Sequence, residues 1–184
     1  MELFNDISEN KFVMILLNEE QYNRRLAEII KGAEKNHTKI CYVCLSKPYT
    51  DVMKYLKNNG FDVDKFFFVD VLSSYYRKPE QAENCIFIEA PDKLVAIHVA
   101  VTSAIAEKNC GTVIFDTISS LLVYEQSYDI IKFTHQLTVE EKHQSTNKVF
   151  IVLKEKGTLE KYTGELIKDI GMFADKSIEM ADDA

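Results

Sequence analysis

Glycine and proline are scarce in this chain, at 6 and 3 of 184 residues, which excludes collagen-like and low-complexity architectures. Cysteine is sparse as well, with four thiols, of which Cys41 and Cys44 spell C-x-x-C. That spacing does not make a metal site. Both residues lie in the apolar run Ile40–Leu45, which reads as a strand, and an offset of three sends two strand side chains to opposite faces. Cys85 and Cys110 also begin apolar runs, so all four are expected as buried, reduced thiols without disulfides.

Long apolar runs and a basic N-terminus are missing too. Met1-Glu2-Leu3-Phe4-Asn5-Asp6 carries acidic residues where a secretory signal carries basic ones, and no run approaches the length of a membrane span. The expectation is a cytoplasmic protein with no membrane partner. Positive charge is in deficit, 22 Lys and Arg against 29 Asp and Glu for a net charge of -7, which disfavours nucleic acid as a partner. What remains is ordinary globular chemistry, 46% hydrophobic and 28% charged, at a length suited to a single domain spanning residues 1–184.

The run Phe12–Leu17 is continuously apolar, the mark of a strand covered on both faces. Asn18 follows as an N-cap with Gln21 three residues on, and Tyr22, Leu26, Ile29, Ile30 and Ala33 form one helical stripe. The alternation then repeats. Lys39–Leu45 reads as a strand, with Pro48 opening a helix that Asn58-Asn59-Gly60 stops, and Phe66–Val71 reads as a third strand. Ser73–Asn84, polar with two tyrosines and Pro79, reads as an exposed excursion. Further strands are expected at Cys85–Ala90, Thr112–Asp116, Val149–Leu153 and Ser177–Met180, and helices from Pro91-Asp92, over Tyr128–Lys142 and over Leu159–Phe173. Strands and helices in alternation imply right-handed βαβ units: a three-layer α/β/α arrangement around a largely parallel central sheet.

Within this order, Val113-Ile114-Phe115-Asp116-Thr117-Ile118-Ser119-Ser120 resembles the Walker B strand of the RecA superfamily and the segment after it. Lys39–Tyr49, Phe66–Val71 and Phe133-Thr134-His135-Gln136-Leu137 fit the same branch, so the chain over about residues 10–181 resembles a degenerate, archaeal-type RecA/KaiC/RadA-like domain. The resemblance implies a P-loop NTPase fold, with Asp116 and Thr117 as the Walker B remnant. An active member needs G-x-x-x-x-G-K-S/T after the first strand, because glycines let backbone N–H groups wrap the phosphates and the lysine neutralises them. Here that place holds Asn18-Glu19-Glu20-Gln21, and each carboxylate opposes phosphate by on the order of 1 kcal/mol or more. Active relatives also carry a carboxylate at the end of the second strand, where this chain has Leu45-Ser46-Lys47-Pro48. Asp116 is therefore expected to cap or order the turn after it.

The remaining polar candidates are weaker. His37, His98, His135 and His143 have no spacing suited to one metal, Asp62 and Asp64 read as a solvated turn, and Ser119 and Ser120 lack the elbow of a nucleophile and read as helix caps. No catalytic residue, metal or cofactor is nominated. Tyr75, Tyr76, Arg77 and Lys78 set two aromatics beside two cations in the exposed excursion, a grouping that anchors protein partners. The functional expectation is a noncatalytic module acting through a protein partner or self-association. The competing reading is a nucleotide sensor or weak ATPase with a rebuilt pocket near Asp116; it requires an anion-accepting cavity near Leu17–Gln21 and Asp116, whereas the first reading expects Glu19 and Glu20 to fill or repel that position.

Overall fold

The apolar runs become strands because helices cover them on both sides. The structure, a computed structural model, describes residues 2–35, 39–140, 145–154 and 156–180. Its elements are α1 (Glu2–Glu9), β1 (Phe12–Leu17), α2 (Glu19–Glu34), β2 (Ile40–Cys44), α3 (Tyr49–Asn58), β3 (Phe66–Asp70) and α4 (Ser73–Tyr76). These are followed by β4 (Cys85–Phe87), α5 (Leu94–Lys108), β5 (Thr112–Asp116), α6 (Ser127–Val139), β6 (Asn147–Leu153), α7 (Glu160–Gly171) and β7 (Lys176–Glu179). Among the described residues the strands form one sheet in the order β4-β3-β2-β5-β6-β1-β7, with every neighbouring pair parallel.

Alternation along each strand divides the core in two. Val13, Ile15, Tyr42, Phe68, Ile114 and Ile151 pack against α1, α2 and α3, whereas Met14, Val43, Val69, Phe115, Phe150 and Val152 pack against α5, α6 and α7. Phe115 and Phe150, on adjacent strands of the second face, stack at 4.4 Å between ring centres. Cys41 joins one cluster and Cys44 the other, so the C-x-x-C thiols do lie across the sheet from each other. All four cysteines are buried free thiols, and burial holds each well above the ordinary thiol range.

Several boundaries differ from the sequence expectation. The helix expected at Pro91-Asp92 begins at Leu94, because Lys93 and Leu94 first close a turn on the carbonyls of Ala90 and Asp92 at 3.1 and 3.0 Å. The strand at Cys85 stops at Phe87: among the described residues it is an edge strand beside β3, which ends in register with it at Asp70. The excursion opens with the helical turn α4, and the helix at Tyr128 starts one residue earlier and ends at Val139. α1 had no signal in the pattern; Ile7 is buried against α2, and Asn147 Nδ2 donates to the Ile7 carbonyl at 3.4 Å. At the other edge β7 exposes Lys176 and Glu179, the latter paired with Lys154. No helix among the described residues is long and apolar enough to cross a membrane.

Candidate functional site

Asp116 ends β5 and, two positions beyond Ile114, faces the α2 side of the sheet. Tyr42 on the neighbouring strand β2 and Tyr22 in the first turns of α2 face the same space. Both phenol hydroxyls donate to Asp116 Oδ2, that of Tyr22 at 2.5 Å. Asp116 is 1% exposed, and among the described residues its Oδ1 accepts no hydrogen bond. The Asp116 carbonyl in turn receives the Leu45 and Ser46 amides at 2.9 and 3.0 Å and the Ser46 hydroxyl at 3.2 Å. Lys47 lies over the Tyr22 ring, 4.5 Å from its centre, and donates to Asn23 Oδ1 at 2.9 Å.

Two expectations about this region need correction. Asp116 does not order the turn after it; the turn is tied by Thr117 Oγ1 and Ser120 Oγ at 2.7 Å, and the carboxyl is spent on the tyrosines. Ser119 does not cap a helix either, because its buried Oγ accepts the Leu153 amide at 3.0 Å and pins the end of β6. At the start of α2, Asn18 N donates to the Gln21 side chain at 3.3 Å, as its spacing suggested. Glu19 and Glu20 are exposed, so it is Tyr22 that fills the space beside Asp116. The carboxylates remain at the helix N-terminus, where they oppose an incoming anion. Tyr22 had a signal, its place on the apolar stripe, but its hydroxyl's target requires the strand order to be known.

Burial raises the Asp116 carboxyl above its ordinary value of 3.8, while the hydrogen bonds from Tyr22 and Tyr42 and the Lys47 charge pull it back. The folded protein therefore holds this proton more tightly than the unfolded chain does. The resulting stabilisation is full below 3.8 and is lost as pH rises through the folded value. Asp116→Asn keeps the shape and removes the titration. The stability of the wild type relative to this variant is expected to fall with rising pH, read from urea midpoints of both proteins; a flat difference would contradict the assignment.

The chain leaves β2 along α3 on one face and leaves the adjacent β5 toward α6 on the other, which makes the β2/β5 boundary the switch point where open α/β sheets bind ligands. A cavity of about 250 Å³ lies there, lined by Leu45, Ser46, Leu72, Tyr76, Ser120 and Tyr124 among others. Tyr76 lines it at 71% exposure, and Tyr75, 54% exposed, meets the Tyr76 ring edge-on at 5.2 Å, with Arg77 and Lys78 also exposed. They are joined by a residue the sequence did not nominate. Tyr124 meets Tyr75 edge-on at 5.9 Å, and its hydroxyl lies 3.3 Å from that of Tyr76.

Comparison with known proteins adds one result. No family model matches the chain, and no curated protein does. Among solved structures, the KaiC-like protein of the hyperthermophilic archaeon Pyrococcus horikoshii OT3 superposes with a TM-score of 0.64 over 95% of this chain and 75% of that one, at 16% identity. The fold is RecA/KaiC-like. Asp116 at the end of β5 and Ser46 after β2 both serve the hydrogen bonds described above.

The other candidates take up local roles. His98 pairs with Glu140 at 3.0 Å, and His135 meets the Phe173 ring edge-on at 5.4 Å. Asp62 caps a short turn by accepting the Asp64 amide at 3.2 Å. His37 and His143 lie outside the described residues. A residue read only as part of the strand Phe66–Val71 proves central: Asp70, fully buried, accepts the amides of Tyr49, Leu72 and Ser73 and the Ser73 hydroxyl at 2.6 to 2.9 Å. It locks the start of α3 and the turn that carries Tyr75 and Tyr76.

Proposed function

We propose that this chain is a noncatalytic RecA/KaiC-like module, a regulatory or protein-interaction platform of the cytoplasm that does not hydrolyse ATP. One observation carries the reading: the Asp116 carboxyl is buried and engaged by the hydroxyls of Tyr22 and Tyr42. For Asp116 to reach a magnesium–phosphate group, both tyrosines would have to leave, which costs buried hydrogen bonds and aromatic packing. The degenerate loop Asn18-Glu19-Glu20-Gln21 adds negative charge where phosphate would dock. The partner is a protein or a second copy of this chain, met at Tyr75, Tyr76, Arg77 and Lys78, with Tyr124 completing the aromatic face.

Isothermal titration with ATP and with ADP, each with Mg²⁺, is expected to give no binding at sub-millimolar concentrations. Micromolar binding that weakens in Asp116→Ala would replace this proposal with the nucleotide-sensor reading, which the unengaged Oδ1 favours.

A further inference from the structure

Beyond the end of β3, where the chain passes through α4 and returns as β4, a cavity of about 530 Å³ lies between the start of α3 and the segment Arg77–Ala82. That volume falls within the roughly 300–1,000 Å³ of small-molecule sites. Part of its wall is aromatic and fixed. Tyr49 meets the rings of Phe68 and Phe87 edge-on at 5.0 and 5.9 Å, and its hydroxyl donates to Asn84 Oδ1 at 2.9 Å, so Tyr49 and Phe87 are held in place before any ligand arrives. The rest is charged. Arg77 and Lys78 line the cavity with Glu80, two cations against one carboxylate in a chain whose net charge is -7. Among the described residues neither cation has an ion-pair or hydrogen-bond partner for its side chain. Thr50, exposed in the first turn of α3, lines the cavity too, and the N-terminal end of that helix adds partial positive charge. Asp51, in the same turn, is exposed and does not line it, and Asp70 behind Ser73 is already matched by the donors described above.

We propose that this cavity binds a small phosphate monoester that carries a flat ring: Arg77 and Lys78 take the phosphate beside the start of α3, and the ring lies against Tyr49 and Phe87. A guanidinium meets two phosphate oxygens with parallel N–H bonds and a lysine adds a point charge, so the pair favours a dianion over a carboxylate. Glu80 restricts the site to one phosphate, because the further charges of a polyphosphate would face its carboxylate. Asp116 does not line this cavity, which belongs to the β3–β4 edge of the sheet, so the site is separate from the Asp116 cluster. Arg77 and Lys78 also belong to the partner face proposed above, but the cavity site stands without that face, because Tyr49, Thr50 and Phe87 are not part of it.

Phenyl phosphate, titrated into the whole isotope-labelled chain and followed by amide chemical shifts, tests this. Saturable shifts are expected at Thr50, Arg77 and Phe87 with a dissociation constant of about 1 mM, in keeping with a ligand of this size. Inorganic phosphate, which lacks the ring, and benzoate, which carries a single charge, are each expected to bind more weakly. Arg77→Ala, a change at an exposed side chain, is expected to weaken phenyl phosphate about tenfold or more and to leave the urea midpoint unchanged. The proposal is overturned by an affinity indifferent to Arg77→Ala, or by inorganic phosphate or benzoate binding as tightly as phenyl phosphate. The absence of any shift overturns this site alone, whereas shifts centred on Asn18–Tyr22 overturn it and count against the noncatalytic reading as well.

Discussion

Tyr42→Ala is expected to lower the free energy of unfolding by about 3–5 kcal/mol, the range for removing a large aromatic from a packed core. Tyr42 is fully buried in the centre of β2, with its ring 6.1 Å from that of Phe68 and its register partners Phe68 and Ile114 on either side. Truncation opens a cavity between the sheet and its helix layer. It also takes one of two donors from the Asp116 carboxyl. Tyr42→Phe separates these effects, because it keeps the ring and removes only the hydroxyl. Its expected cost is about 1–3 kcal/mol, that of leaving a buried polar group short of a partner. Urea midpoints of the three proteins measure both steps, and a Tyr42→Phe variant as stable as the wild type would mean that the hydroxyl contributes nothing at Asp116.

Asp70→Ala is expected to be comparably severe, at about 3–4 kcal/mol, since one buried amide and two part-buried ones lose their acceptor at about 1–3 kcal/mol each, the part-buried ones at the low end. Leu72 and Ser73 share Oδ1, and Tyr49 depends on Oδ2 together with the Ser73 hydroxyl. The loss therefore loosens the start of α3 and the turn of α4 at once. Limited trypsin digestion offers a local readout. Cleavage after Arg77 is expected to quicken more than cleavage elsewhere; uniform acceleration would mean that Asp70 acts on the whole fold and does not specifically hold this turn.

The centre of the sheet was legible in the sequence because its strands are covered on both faces and so read as unbroken apolar runs; Phe12–Leu17 and Phe66–Val69 are clear cases. The helix at Asn18 was legible through its cap. α1 was not, because a short terminal helix held by tertiary contacts such as Ile7 on α2 leaves little periodicity to read. The site was half legible. Asp116 stood out by its position after an apolar strand, and the acidic loop by its composition. The grip of Tyr22 and Tyr42 on Asp116 was not, since it joins residues 94 and 74 positions apart and depends on β2 lying beside β5. Tyr124 escaped for the same reason; Asp70 was legible in part, since it accepts from Leu72 and Ser73 two and three residues on, a local turn of the kind Asp favours, and only its bond from Tyr49 needs the fold.

The place of β1 between β6 and β7 also sets the order in which the molecule can form. The first strand of the sheet has no partner until the last two exist, and Phe12 meets Lys148 only across most of the sequence. Closing a loop of that size costs about 4 kcal/mol before any contact repays it. By contrast β2, β3 and β4 are consecutive neighbours and can assemble as soon as they are made. During synthesis β1 therefore waits, an exposed apolar segment, until β6 has emerged from the ribosome. The interval between the two is when the chain is most open to aggregation.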